Sequence, residues 1–190
     1  TGIWTSSSPF INFANPLNAS TSVTLDTTGA AYGTYQLIWT VNNTVNCSDD
    51  DTLNVTFIQQ PIVSAGPDAS ICGAIANLSA TINTGTGTWS SNYPFISFAN
   101  SNNPTTIATL DSINGNYGTY TLVWSVNNGI CNDLDSVNYT FIQKTFANAG
   151  NNSSVCGIVD SLSAIPSSGI GTWTSTNGGV LFSDPNDPNA

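Results

Sequence analysis

The sequence predicts an all-β chain of tandem antiparallel β-sandwich repeats, each about 85 residues long. Two long runs alternate with period two around an Asn/Gly turn. That pair of runs occurs twice at a fixed spacing, and no segment has helical periodicity of useful length. In the better copy Tyr120, Leu122, Trp124 and Val126 fall on one face, with Thr121 and Ser125 on the other. Past a turn assigned to Asn127, Asn128 and Gly129, Val137, Tyr139 and Phe141 alternate with Ser136, Asn138 and Thr140. Such runs make a hairpin with one buried and one wet face. The earlier copy occupies 32–43 and 51–59. Trp39 and Trp124 are 85 positions apart, whereas Cys47 and Cys131 are 84 apart, so one residue is lost between the two strands. Trp4, Trp89 and Trp173 keep the same phase, as do Phe13, Phe98 and Phe182.

The elements follow in order. Residues 1–60 read as the later part of one repeat: a strand at Trp4, a loop through Pro16, a short strand at Val23 and Leu25, then the hairpin. Residues 61–145 form a complete repeat. It opens on an edge-type strand broken at Gly66-Pro67, because proline cannot donate to a ladder. Ala76, Leu78, Ala80 and Ile82 then alternate, and a Gly85/Gly87 turn leads into Trp89. A loop at 100–104 precedes Ala108 and Leu110, and the hairpin follows. Residues 146–190 restart the pattern with Ala149-Gly150, Cys156-Gly157, Leu162, Ala164, Gly171 and Trp173. About seven short strands per repeat, with turn signals every 8–12 residues, indicate a Greek-key sandwich. The absence of Met suggests a mature fragment or a window cut from something longer.

Composition narrows the function. Lys144 is the only basic residue against eleven acidic ones, all Asp, for a net charge of −10. Nucleic acid and anionic membrane are therefore not expected partners, since both select Lys and Arg. Without His there is no imidazole to act as general base or zinc ligand, and without Glu, with a single Lys, catalytic acid or base work is left to Asp, Ser and Tyr. No enzyme is expected. No run of 18 apolar residues is present, so no direct membrane insertion is expected either.

Ala65-Gly66-Pro67-Asp68, Cys72-Gly73, Gly87-Thr88-Trp89, Tyr117-Gly118-Thr119-Tyr120 and Gly129-Ile130-Cys131 together resemble the PKD-like and Ig-like repeats of giant secreted adhesins from gliding and surface-attached Bacteroidota. The resemblance covers the whole chain. It implies secretion across the outer membrane, an extracellular or cell-surface location, and no catalysis. The expected function is a structural repeat of an extracellular filament or giant adhesin, acting as a stiff rod whose partners are neighbouring repeats or fibre subunits. The short connectors Gln59 to Ile62 and Gln143 to Phe146 would restrict bending. The alternative is a carbohydrate- or surface-binding module appended to a secreted enzyme, which would need an exposed aromatic row or a cation site on its loops.

The cysteines occupy two phases of the repeat: Cys72 and Cys156 after the opening strand, Cys47 and Cys131 at the hairpin. An exported β-protein favours disulfides. Two registers are open. Cys72 can pair with Cys131 inside one repeat, or each opening cysteine can pair with the hairpin cysteine of the next repeat, stapling the junction. Ig topology would place the two ends of the first at opposite poles, beyond the roughly 7 Å a disulfide spans between Cα atoms, yet the pair of cysteines in each repeat favours it as the simplest pairing.

Asp49, Asp51, Asp133 and Asp135 flank the hairpin turns, and Asp184 and Asp187 lie in a Pro/Asn loop. They are either weak Ca²⁺ ligands or solvated turn acids that discourage edge pairing. No cofactor is otherwise expected. Five Asp precede Ser or Thr in a pattern that resembles the O-glycosylation acceptor of Bacteroidota, which would place glycans on Thr27, Thr52, Ser112, Ser136 and Ser161. Ordinary turn chemistry explains the same pairs. Trp39 and Trp124 share parity with core Leu and Val, which favours a core role over a sugar platform.

Overall fold

The computed structural model describes residues 2–43, 47–165 and 167–190. Among these the chain is all-β, with no helix. Five strands precede the first connector: β1 (Gly2–Ser6), β2 (Ile11–Phe13), β3 (Val23–Leu25), β4 (Gly33–Asn42) and β5 (Ser48–Phe57). Nine follow it: β6 (Val63–Ser64), β7 (Ala69–Cys72), β8 (Ile75–Asn77), β9 (Thr81–Ile82), β10 (Thr86–Ser90), β11 (Ile96–Phe98), β12 (Ile107–Leu110), β13 (Gly118–Asn128) and β14 (Cys131–Ile142).

One layer of the 61–145 sandwich has the strand order β10-β13-β14-β7. The other is built from β11-β12-β8 and the β6-β9 pair. The alternating run from Ala76 to Ile82 splits into β8 and β9, since the amides of Leu78 and Ala80 donate instead to the carbonyls of Thr106 and Pro104. The opening strand starts in one layer as β6 and finishes in the other as β7, which runs parallel to β14. Gly66, at φ +87°, and Pro67 make that switch possible, because the chain must turn sharply and leave one ladder before joining the next.

The core draws on both layers, and its buried residues run from Ala65 to Phe141. Leu122, Trp124 and Val137 are fully enclosed, and Trp89 is nearly so. Trp124 stands opposite Trp89 in the β10–β13 ladder, with ring centroids 5.2 Å apart and planes tilted by 46°. Gly87 supplies the space: a Cβ there would lie 2.0 Å from the Trp124 ring. The Gly-Thr-Trp sequence is thus a packing device, in which glycine lets an indole lie flat on the neighbouring strand. Tyr120 closes the end of β13, its hydroxyl donating to the Asn116 carbonyl four residues upstream. This is the tyrosine corner of Ig-type sandwiches. Two positions further on, where antibody domains place a disulfide cysteine, the chain has the buried Leu122.

The hairpin differs from its sequence reading at the tip. Asn127 and Asn128 are ladder residues, paired with Asn132 and Cys131, so the turn consists of Gly129 and Ile130 alone. Gly129 adopts φ +69°, the left-handed conformation a two-residue turn requires. Moving the turn forward frees the Asn128 side chain for another partner, described below.

Strands β1 to β5 repeat the β10–β14 arrangement, with order β1-β4-β5 and a separate β2-β3 pair. Trp4 stands opposite Trp39 at 5.1 Å, and Gly2 underlies Trp39 as Gly87 underlies Trp124. Tyr35 donates to the Ala31 carbonyl at 2.6 Å, a second tyrosine corner. Described residues beyond Ile142 form no strand, yet they keep the local bonds of the complete repeat. The amides of Leu162 and Ala164 donate to Ala190 and Pro188, matching Leu78 to Thr106 and Ala80 to Pro104. Trp173 stacks on Phe182 at 6.4 Å, as Trp89 does on Phe98. Ladders need partners, and the counterparts of β12 to β14 are not among residues 146–190. Val180 is accordingly exposed, whereas its counterpart Ile96, paired with Leu110 of β12, is buried.

Candidate functional site

The residues that distinguish this chain from a row of loosely tethered sandwiches lie at the connector between β5 and β6. The hairpin tip of the complete repeat folds back onto the exit of the preceding one. Asn128 Nδ2 donates to the Gln59 carbonyl at 2.7 Å. Cys131 Sγ lies 3.8 Å from the Ile58 carbonyl oxygen. Ile58 Cδ1 sits 3.4 Å from the position a Cβ on Gly129 would take. The β9–β10 turn approaches the connector as well. Asn83 Oδ1 accepts the Ile62 amide at 2.7 Å, while Asn83 Nδ2 donates to the Gln60 carbonyl at 3.5 Å. Pro61, between these bonds, is fully buried. Three backbone groups of the four-residue connector, the Gln59 and Gln60 carbonyls and the Ile62 amide, are held by side chains from the complete repeat, and its proline has a fixed φ.

The second connector has half of this clamp. Phe146 donates its amide to Ser167 Oγ at 2.6 Å, and that hydroxyl donates back to the Phe146 carbonyl at 3.1 Å. Ser167 stands 84 positions after Asn83, and Phe146 stands 84 after Ile62. Both repeats therefore put a short polar side chain at the same place to hold the connector. Asn83, Asn128 and Pro61 had no distinct signal in the sequence. The available hint was that positions 83 and 167 are both polar, which an Asn/Ser-rich chain produces freely.

The cysteines separate cleanly. Cys72 is paired with Ile142 at the end of β14, and Cys131 begins that same strand. Eleven residue steps of roughly 3.3 Å put the two ends about 36 Å apart, so the Cys72–Cys131 linkage is geometrically excluded. Cys72 and Cys156 are exposed thiols and Cys131 is a half-buried one. Cys47 adjoins 44–46, which lie outside the described residues, and its amide donates to Asn43 Oδ1 at 3.3 Å.

The acidic residues act as local acceptors. Asp51, Asp135 and Asp160 each accept the amide of the following residue at 2.8 Å. Asp26 holds the hydroxyl and amide of Thr28, and Asp111 holds the Asn114 side chain and the Ile113 amide. These bonds favour the charged form and depress both carboxyls below the ordinary carboxylate value, chiefly through the Thr28 and Asn114 side chains. Asp135 also reaches across the sandwich edge, its Oδ2 accepting the Ala65 amide at 2.9 Å. That bond is the main cause of its lowered pKa, with Ser136 second. Asp68 reciprocates from the other side, accepting the Asn138 amide at 2.7 Å. The Ala65–Asp68 segment is thereby pinned to β14 by two carboxylate–amide bonds. Among the described residues no group of three or more Asp, Cys, His or Glu converges to hold a metal, the Ca²⁺ candidates Asp49, Asp51, Asp133 and Asp135 included. Thr27, Thr52, Ser112, Ser136 and Ser161 are all exposed.

Two hollows are lined by described residues. A shallow groove of about 520 Å³ crosses β10, β13 and β14, lined by Thr86, Thr88, Ser125, Val126, Asn127, Asn132, Asp133 and Leu134. A cleft of about 640 Å³ opens between residues 145 and 188 beside Ala149, Ala164 and Trp173. The matching positions Ala65, Ala80 and Trp89 share one packed cluster with Leu122, Trp124 and Val137, so the cleft is the half of a sandwich interior that those strands would fill.

No family model and no curated protein matches the chain. Among solved structures, similarity extends to Drosophila OTK extracellular domains 3–5, at 10% identity over 74% of this chain and 50% of that one, with a TM-score of 0.46. The fibronectin(III)-like modules of Clostridium thermocellum CbhA align at 15% identity over 75% and 77%, with a TM-score of 0.35. Tandem Ig repeats of Dlar align at 13% identity over 76% and 83%, with a TM-score of 0.31. The chain spans half the length of the OTK structure. Similarity this distant adds nothing to the sandwich fold already read from the strand ladders.

Proposed function

We propose that this chain is a run of structural repeats from an extracellular filament or giant surface adhesin, working as a stiff rod with no catalytic role. The observation that carries the reading is the clamped connector: Asn128 on the Gln59 carbonyl, Asn83 on Gln60 and Ile62, and a buried Pro61 between them. A tether between independent binding domains would leave those backbone groups to water. The acidic surface with its single Lys is consistent with an exported rod that repels its neighbours. The five exposed Ser and Thr after Asp are open to O-glycosylation, as the resemblance to Bacteroidota adhesins implies. The groove across β10, β13 and β14 offers no aromatic platform among its lining residues, which weighs against the carbohydrate-module alternative.

Small-angle scattering of the 190-residue chain and of an Asn83→Ala/Asn128→Ala double variant tests the rod. The expected result is a single extended envelope for the native chain and a broader distribution of distances for the variant. Identical profiles for the two proteins would remove the clamp from the account.

A further inference from the structure

The Cys131 thiol sits beside a position that the repeat itself identifies. Ile58 is the counterpart of Ile142, since Phe57-Ile58-Gln59 and Phe141-Ile142-Gln143 are the same segment 84 positions apart. In the complete repeat Ile142 pairs with Cys72, and the amide of the next residue, Gly73, donates to the Ile142 carbonyl at 2.8 Å. The Ile58 carbonyl is therefore the place where an opening-strand Cys-Gly of the preceding repeat would dock. Cys131 Sγ lies 3.8 Å from that same oxygen. The opening-strand cysteine of one repeat and the hairpin cysteine of the next thus converge on a single backbone group. The third repeat carries its own opening cysteine in phase, Cys156 before Gly157, with Gly157 at φ +130° against +117° for Gly73.

We propose that each opening-strand cysteine is disulfide-bonded to the hairpin cysteine of the following repeat, so that every junction of the array is stapled covalently. In this chain Cys131 would bond backward to the preceding repeat, and Cys72 forward to the hairpin of the repeat that begins at Phe146. The two thiols lose two protons and two electrons. A disulfide of the oxidising extracellular compartment takes them up and leaves as two thiols. The staple deepens the rod reading and rests on it, because it needs the hairpin tip to stay docked on the connector. Its mechanical effect is specific. Asn128 and Asn83 hold the connector by hydrogen bonds that water can replace, whereas a disulfide holds the tip until it is reduced.

The test completes the third repeat using the chain's own sequence. Ala190 occupies the position of Thr106, as the matching Leu162 and Leu78 bonds show, so residues 107–145 appended after Ala190 continue the repeat in phase. With the resident Cys131→Ser, the appended hairpin carries a unique cysteine. The extended chain is folded in an oxidised/reduced glutathione buffer and digested without reduction by a protease that cleaves at Asp. The expected result is one linkage, between Cys72 and the appended hairpin, with Cys156 alkylated as a thiol. Cys72 alkylated in a chain whose third repeat has buried Trp173 would overturn the staple and leave the clamped rod standing. An Ile58→Cys variant of the unextended chain supplies the second readout. Oxidative bonding to Cys131 is expected. A persistently reduced Cys131 in that variant would overturn the docking itself, and the rod reading with it.

Discussion

Replacing Gly87 with Ala adds one methyl group at the most crowded point of the sandwich. The added Cβ would stand 2.0, 2.5 and 2.6 Å from three atoms of the Trp124 ring, well inside contact distance. That ring has no exposed surface, and Trp89 packs against it at 5.2 Å. Neither ring has room to recede. Forcing extra volume into a filled core costs about 1–3 kcal/mol. Loss of glycine's freedom in the unfolded chain returns about 0.4–1 kcal/mol. The net expectation is a loss of about 1–2 kcal/mol, which for a domain of this size lowers Tm by roughly 4–16 °C. Gly118→Ala is the matched control: it sits in the neighbouring strand, and a Cβ there meets nothing within 4 Å. Urea denaturation followed by tryptophan fluorescence compares the two at equal m-value. A Gly87→Ala protein as stable as Gly118→Ala would refute the packing argument for the Gly-Thr-Trp sequence.

Tyr120→Phe removes the hydroxyl that holds the Asn116 carbonyl and should cost about 0.5–1.5 kcal/mol, read from the same denaturation curves. Asp135 titrates below the ordinary value of 3.8 because the Ala65 and Ser136 amides favour its charged form. Its contribution is therefore complete above the unfolded value and is lost as pH falls through the folded one. Thermal melts between pH 2 and 6 should show wild type and Asp135→Asn converging as pH drops below about 4. A constant gap between them would rule out that linkage. Peptide mass spectrometry of native material is expected to find hexose on peptides containing Ser112 and Ser136; bare peptides would remove the support for a Bacteroidota adhesin origin while leaving the fold untouched.

The hairpins were legible because period-two alternation is a local property. Tyr120, Leu122, Trp124 and Val126, then Val137, Tyr139 and Phe141, are all buried as their parity requires. The tip was misread by two residues, because Asn and Gly are both turn formers and only the ladder shows that Asn128 still pairs. The parallel pairing of β7 with β14 joins segments about 70 residues apart, and nothing in either segment names the other. The same distance hid the Asp135–Ala65 and Asp68–Asn138 bonds, so Asp135 reads in sequence as a turn acid or possible metal ligand, and Asp68 only as part of the Ala65-Gly66-Pro67-Asp68 motif. Equal cysteine counts per repeat suggested a bond within the repeat. That one cysteine begins a 12-residue strand while the other pairs with its far end from β7 is a consequence of strand direction, which composition does not encode. The third segment repeats the sequence pattern without strands, because a strand is a relation between two stretches of chain and not a property of one.

A clamped connector makes the parts on either side of it one rigid body. Amide residual dipolar couplings of the 190-residue chain in a dilute aligning medium read that rigidity out. Couplings from residues 2–43 and 61–143 should fit one alignment tensor, with the two parts oriented as the Asn128–Gln59 and Asn83–Ile62 bonds require. Separate tensors of unequal magnitude would mean that the two parts tumble independently, and the rod account would be wrong.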